Sequence, residues 1–573
     1  MACREQTLSN DYAEALVDFI VTKDDLIGMD YCTFKLDEQF AILYFRRVGT
    51  QPINVSLYTY NSIPKLYGLM QDEDGRVGGF DSMSLSRTGV LQVQRPPLSL
   101  TGKGVIIGFV DTGIRYDMDV FRREDGTSRI FSIWDQTIQD GTPPEGFCFG
   151  TEYTNEQINL ALQSEDPLSI VPSTDEDGHG TAMASAAAGK NTTVGSMFLG
   201  AAPDADIVMV KCREGKQYLR DYYMIPDGVP AYCDTDIGMA VKYLDELARV
   251  GKRPVIICIA MGTNWGDHAG NSVLSRYLSR IAEKRNRVVI IPAGNEGNTG
   301  HHYNSLFAMS AATMEQSVEM RVGENEPGFV MELWGERPNI MSISIRSPGG
   351  ETIPTVDFRS RETRNFSFVY SRTRITIDHV LVEQGSGDEL VVLRFTLPTA
   401  GVWTFHITVQ GDIDYGAFNM WLPISQFMKS DTYFLRSSPY TTLTEPSVAR
   451  SVITPSAYDA GNNSFYIDSS RGFGRDGTLK PDFAAPGVNV PTVLGNKSGS
   501  SVAVAITAGA AAQFMQWAVV EGNDVLAQSV EVKSYFIRGA VKDLDVIYPN
   551  RSWGFGRLNV ARSFEIIAGT TSV

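Results

Sequence analysis

With 573 residues the chain is too long for one ordinary core, so two or three domains are expected. Hydrophobic residues at 43% and charged residues at 20% are globular proportions, and no repeat period or low-complexity tract is visible. A formal net charge of −17 repels phosphate backbones, which argues against a nucleic-acid partner.

The start of the chain, Met1 to Thr33, is polar and acidic and has no basic segment, apolar core and cleavage site of a secretory signal. No stretch of about 18 residues reads as apolar and free of charge, so no membrane-crossing helix is expected. Cytosolic synthesis follows as an expectation. The six cysteines at 3, 32, 148, 212, 233 and 258 form no CxxC pair, and reduced thiols suit that compartment.

Residues 1–80 read as a small α+β unit. It has a helix over Tyr12 to Val21 and apolar strands over Phe40 to Phe45 and Val55 to Tyr60, and it ends in glycine-rich Asp72 to Gly79. From residue 81 to 315 the pattern alternates. Short apolar runs at Val105 to Val110, Ile207 to Val210, Val255 to Ala260 and Val288 to Ile291 suit strands buried on both faces of a parallel sheet. Helical stretches Thr181 to Ala188, Ile237 to Val250 and Ser272 to Lys284 lie between them, which implies a doubly wound α/β fold. Residues 316–440 change to short β-rich segments, Phe366 to Tyr370, Arg374 to Ile377, Leu390 to Thr396 and Trp403 to Val409, separated by turns. These predict an inserted β-sandwich or jelly roll. The α/β pattern returns over 441–573 with a long apolar helix, Val502 to Val520.

Four segments carry chemistry. Asp111 follows the first buried strand in Asp111-Thr112-Gly113, where open α/β sheets gather functional groups. The same tripeptide fits a plain turn or an aspartic protease. His179, in Asp177-Gly178-His179-Gly180-Thr181, opens a helix of small residues that can approach a sheet closely; a capping-loop histidine is the bland alternative. Ser501, in Gly499-Ser500-Ser501-Val502, starts the apolar helix. It is either a helix cap or a nucleophile whose N–H faces an oxyanion, and Ser500 could supply the cap instead. Asn295, in Ala293-Gly294-Asn295-Glu296, is either a turn residue or an oxyanion donor. His301-His302 hints at a metal, but no third ligand at a suitable spacing accompanies it. Loop polarity is the better reading, and no metal or cofactor is expected.

The chain order Asp, His, Ser is that of subtilisin. With Gly200-Ala201-Ala202-Pro203, Lys480-Pro481-Asp482-Phe483-Ala484-Ala485-Pro486-Gly487 and Gly554-Phe555-Gly556-Arg557, the chain resembles the subtilisin-like serine proteases over 100–315 and 450–565. Within that family it resembles the clostridial Csp germination proteases, which carry a short prodomain and a jelly roll between the oxyanion Asn and the catalytic Ser. The resemblance implies a serine endopeptidase with Asp111, His179 and Ser501 as triad, Asn295 in the oxyanion hole and a polypeptide substrate. It implies that Ala260-Met261-Gly262, where the family has Ser-Leu-Gly, pairs with extended substrate. It also implies a prodomain over residues 1–80, clipped by the enzyme itself between Tyr67 and Ser86, with Gln71 before the cut, and retained without a covalent link. Activation of another bacterial protein by limited proteolysis and a spore association come only from those relatives. A monomer is expected. Gly499-Ser500-Ser501 departs from the family's Gly-Thr-Ser, and the family's following proline is absent. The rival readings are a catalytically silent pseudoprotease that binds or signals, and a jelly roll that binds carbohydrate.

Overall fold

The computed structural model describes residues 3–18, 31–47, 53, 59–70, 83–191, 198–306, 314–356, 362–410 and 417–569. Its centre is a six-stranded sheet in the order Arg287–Ile290, Val255–Ile259, Ile106–Asp111, Asp206–Lys211, Ile130–Asp135, Thr151–Thr154. All pairs are parallel except the last.

Alternation along each strand explains the two-sided burial. Ile107, Phe109, Ile207, Met209, Ile256 and Cys258 face one core, which takes in helices His179–Ala188 and Ser500–Met515. Ile106, Val110, Val208, Val210, Ile257 and Ile259 face the other, with helices Asp234–Gly251 and Val273–Ala282. Each fully buried side chain of this size stabilises the fold by roughly 1.5–3 kcal/mol. The stretch Ser500–Val520 is long and apolar enough to cross a membrane, contrary to the sequence expectation, but 89% of its most apolar window is buried in the protein, as befits a core helix.

The insert is a β-sandwich. One sheet orders His302–Leu306, Ala417–Trp421, Gly328–Gly335, Glu389–Thr396, Arg374–Val380 and Glu362–Ser367. The other orders Thr352–Val356, Ile340–Arg346, Gly401–Gln410, Met314–Val322 and Tyr433–Phe434. Its first strand lies ahead of residue 316, because His302–Leu306 pairs antiparallel with the late strand Ala417–Trp421, a partner no local pattern reveals.

The N-terminal module differs from expectation. Tyr12–Asp18 is a strand, not a helix, and pairs antiparallel with Phe40–Arg46, which also takes Tyr31–Lys35 on its other edge. Tertiary contacts override the helical pattern here: Glu14 is buried only because Lys216 and Arg213 of the α/β domain reach its carboxylate at 3.3 and 3.8 Å. The strand expected over Val55 to Tyr60 lies mostly outside the described residues. Cys3 and Cys32 form a disulfide, whereas reduced thiols were expected; the chain brings their Cα atoms to 5.5 Å across 29 residues. Cys148, Cys212, Cys233 and Cys258 are free and buried.

Candidate active site

Asp111 is the last residue of its strand, and its Oδ1 lies 2.6 Å from His179 Nδ1. The Thr112 N–H also donates to that oxygen, at 2.8 Å. Beside a carboxylate Nδ1 carries the proton, which leaves Nε2 as the basic nitrogen. Burial alone would lower the His179 pKa, but the charge of Asp111 and its hydrogen bond hold it above the usual histidine value.

Close packing fixes the ring. Gly180 follows His179, and a Cβ on it would lie 2.2 Å from the Gly113 carbonyl oxygen, so only glycine lets this helix meet the turn after Asp111. Asp175 ties the two segments together and was missed in the sequence. Its Oδ1 accepts from Thr112 Oγ1 at 2.8 Å and from the Gly178 N–H at 2.9 Å. Its Oδ2 accepts from the Thr181 N–H and hydroxyl at 2.8 and 2.6 Å. The available signal was an Asp six residues ahead of a Thr inside a helix start, the pattern of a side chain that satisfies orphan helix N–H groups.

Ser501 lies in the first turn of Ser500–Met515. Ser500 does not cap this helix; its Oγ accepts from the Gly294 N–H at 3.2 Å, while its own N–H donates to Asn295 Oδ1 at 3.0 Å. With Oδ1 so engaged, the Asn295 amide is oriented and its Nδ2 is left without a partner among the described residues. His179 Nε2 and Ser501 Oγ are also buried without hydrogen-bond partners among the described residues. These three atoms belong to the groups that would move a proton, attack and hold an oxyanion. The helices that bear His179 and Ser501 touch: a Cβ on Gly509 would lie 3.0 Å from the Ala187 carbonyl.

The chain itself fills the cleft. Leu66–Leu69 is a strand between Met261–Gly262 and Tyr232–Cys233, antiparallel to both. Gly68 pairs with Gly262 and Leu69 with Met261. The Met70 N–H donates to the Ala260 carbonyl, and the Ser501 N–H donates to the Met70 carbonyl, both at 3.1 Å. Ala260, Met261 and Gly262 thus hold an extended segment. Gln71 lies outside the described residues; the carbonyl at the Ser501 N–H is that of Met70, one residue before the position expected.

His301 and His302 are not loop polarity. His301 Nδ1 bonds Glu296 Oε2 at 2.9 Å, and His302 stacks on Trp421 with centroids 4.6 Å apart. Both are buried.

Comparison with known proteins places these residues in a wider frame. No curated protein sequence matches the chain. Its structure is similar to that of the CspB protease of Clostridium perfringens, at 28% identity and a TM-score of 0.74, over 85% of this chain and 98% of that one. More distant likenesses include MycP1 from Mycobacterium smegmatis, at 12% identity and TM-score 0.37 over 88% and 90% of the two chains. The patellamide maturation protease PatA matches at 13% and 0.38 over 82% and 98%. The subtilase family model aligns with residues 102–344 and 436–556, breaking off within the inserted sandwich and resuming after it. A match over more than half of the sequence is no local likeness of motifs, and the chain belongs to the subtilase family of serine proteases.

Proposed function

We propose that this chain is a serine endopeptidase with Asp111, His179 and Ser501 as its triad, and that its first substrate is its own Met70–Gln71 bond. Ser501 Oγ attacks the Met70 carbonyl carbon as His179 Nε2 takes the hydroxyl proton. Asp111 holds the imidazole in its tautomer and stabilises the imidazolium. The carbonyl oxygen becomes an oxyanion held by the Ser501 N–H and Asn295 Nδ2. His179 then gives its proton to the Gln71 nitrogen, the C–N bond breaks, and water releases the acyl group by the same steps in reverse order of partners.

The observation that carries this reading is the Met70 carbonyl on the Ser501 N–H, at the end of a strand clamped by Ala260 to Gly262. A carbonyl about to be attacked is expected to sit there. Ile63 to Met70 are buried throughout, so the cut module stays seated and blocks the cleft until displaced. Other polypeptides are then cut only by enzyme freed of the tail.

N-terminal sequencing of purified protein should give Gln71 as the new first residue, and a fluorophosphonate should label Ser501 once the tail is displaced. An intact Met1 end together with no labelling would favour a binding protein on a protease fold. The pH dependence follows from His179. It must be neutral to accept the proton, and its pKa is raised, so the processing rate should be low in acid and rise with increasing pH through a midpoint above the ordinary histidine value, measured by quenched time courses.

A further inference from the structure

The inserted sandwich reaches into the substrate cleft. The segment Ile424 to Gln426, between its strands Ala417–Trp421 and Tyr433–Phe434, lies over the strand Leu66–Leu69, and the Gln426 amide donates to the Leu69 carbonyl. This segment is fastened to the loop that bears Asn295: Glu296 Oε1 accepts from the Ser425 N–H at 2.9 Å and from its hydroxyl at 3.0 Å. His301 and Thr299 hold the other Glu296 oxygen at 2.9 Å each. Ile424 is 1% exposed and packs in a cluster with Tyr60, Trp334, Trp421 and Phe427.

Gly68 faces this wall. Its φ is not in the left-handed region, so the backbone does not require glycine. The space does. A Cβ there would lie 2.6 Å from Gln426 Cδ and Nε2 and from Ile424 Cδ1. One side chain is tied by its bond to Leu69 and the other is packed, so both must move together. The strand cannot lift away either, because Gly68 is paired in register with Gly262.

We propose that Ile424 and Gln426 select the substrate residue three places before the scissile bond, and that they admit glycine there. This rests on processing at Met70–Gln71. Polypeptides cut by the freed enzyme then carry glycine at that place, followed by an apolar residue and an unbranched apolar one such as methionine. Gly262 leaves room for the last of these: a Cβ on it would come within 3.1 Å of Met70 Cε.

The test is a cycle of full-length chains whose processing is followed by intact mass after synthesis in vitro. Gly68→Val should process roughly ten- to a hundredfold more slowly than wild type, the range for forcing extra methyl groups into a filled site. The same substitution in an Ile424→Ala, Gln426→Ala background should slow that background less than about threefold. A Gly68→Val chain that processes at the wild-type rate would overturn the selection, and so would an equal slowing in both backgrounds, since position 68 would then act through folding of its module. A wild-type chain that stays whole, or a Ser501→Ala chain that is cut, would remove the processing reading itself and the glycine rule with it.

Discussion

Replacing Ser501 by alanine is expected to leave one full-length species of 63.0 kDa where the wild type yields two. Loss of the nucleophile in an enzyme of this kind lowers the rate by about 10⁶, so no cleavage should be seen on any practical time scale. The substitution isolates chemistry from folding. Ser501 Oγ makes no hydrogen bond among the described residues, and its N–H, which holds the Met70 carbonyl, is kept. The melting temperature should therefore hardly change. Asn295→Ala is the informative companion. It removes one oxyanion donor and should slow processing about 10²–10³-fold, leaving a measurable rate. Mass spectrometry over hours separates the two outcomes, and a processed Ser501→Ala chain would place the cut in another protease's hands.

Glu14→Ala should release the N-terminal module. The Glu14 carboxylate is fully buried between the module and the α/β domain, 3.3 Å from Lys216 Nζ and 3.8 Å from the Arg213 guanidinium. Arg213 keeps Asp236 at 2.9 Å, but Lys216 would be left with the Gln6 and Tyr12 carbonyls and the Tyr44 ring 5.3 Å away, and no carboxylate in contact among the described residues. Breaking a buried pair from one side costs about 3–5 kcal/mol, because the remaining charge stays out of water. That corresponds to a weakening of the cut module's binding by roughly two to three and a half orders of magnitude. Calorimetric titration of the separated pieces would measure it. The freed cleft should also hydrolyse added peptide sooner after processing. Unchanged binding would mean that the ion pair contributes little beyond its own desolvation.

The placement of Asp111, His179 and Ser501 was legible in the sequence because each sits where local rules put it. Asp111 ends a buried run, His179 opens a helix of alanines, and Ser501 lies in the first turn of a long apolar helix. None of the three was decisive against a turn or a cap, and their order joined them. What stayed hidden depends on distant partners. The strand Tyr12–Asp18 has a helix-like mixture of Ala, Glu and Leu, and only Lys216 and Arg213, some two hundred residues on, make a buried Glu14 tolerable. That Met70, one residue before Gln71, meets the Ser501 N–H is set by register against Met261–Gly262, not by any side chain near Gln71. Cys3 and Cys32 meet through the fold of the module, and spacing alone does not pair them. The roles of Asp175 and Gln426 required knowing what lies above them.

The nucleophile helix comes from the far side of the insert, roughly 320 residues after His179. During synthesis Asp111 and His179 emerge early, while Ser501 arrives only after the whole sandwich has left the ribosome. At about 5–20 residues per second this delay is on the order of 16–65 seconds. Throughout that interval the α/β sheet lacks this long apolar helix, and the N-terminal module has no serine to be cut by. Under the proposed self-processing, scission of the tail would work as a checkpoint on completeness: a chain truncated anywhere before residue 501 would keep its leader, and a severed leader would certify that translation ran past the insert.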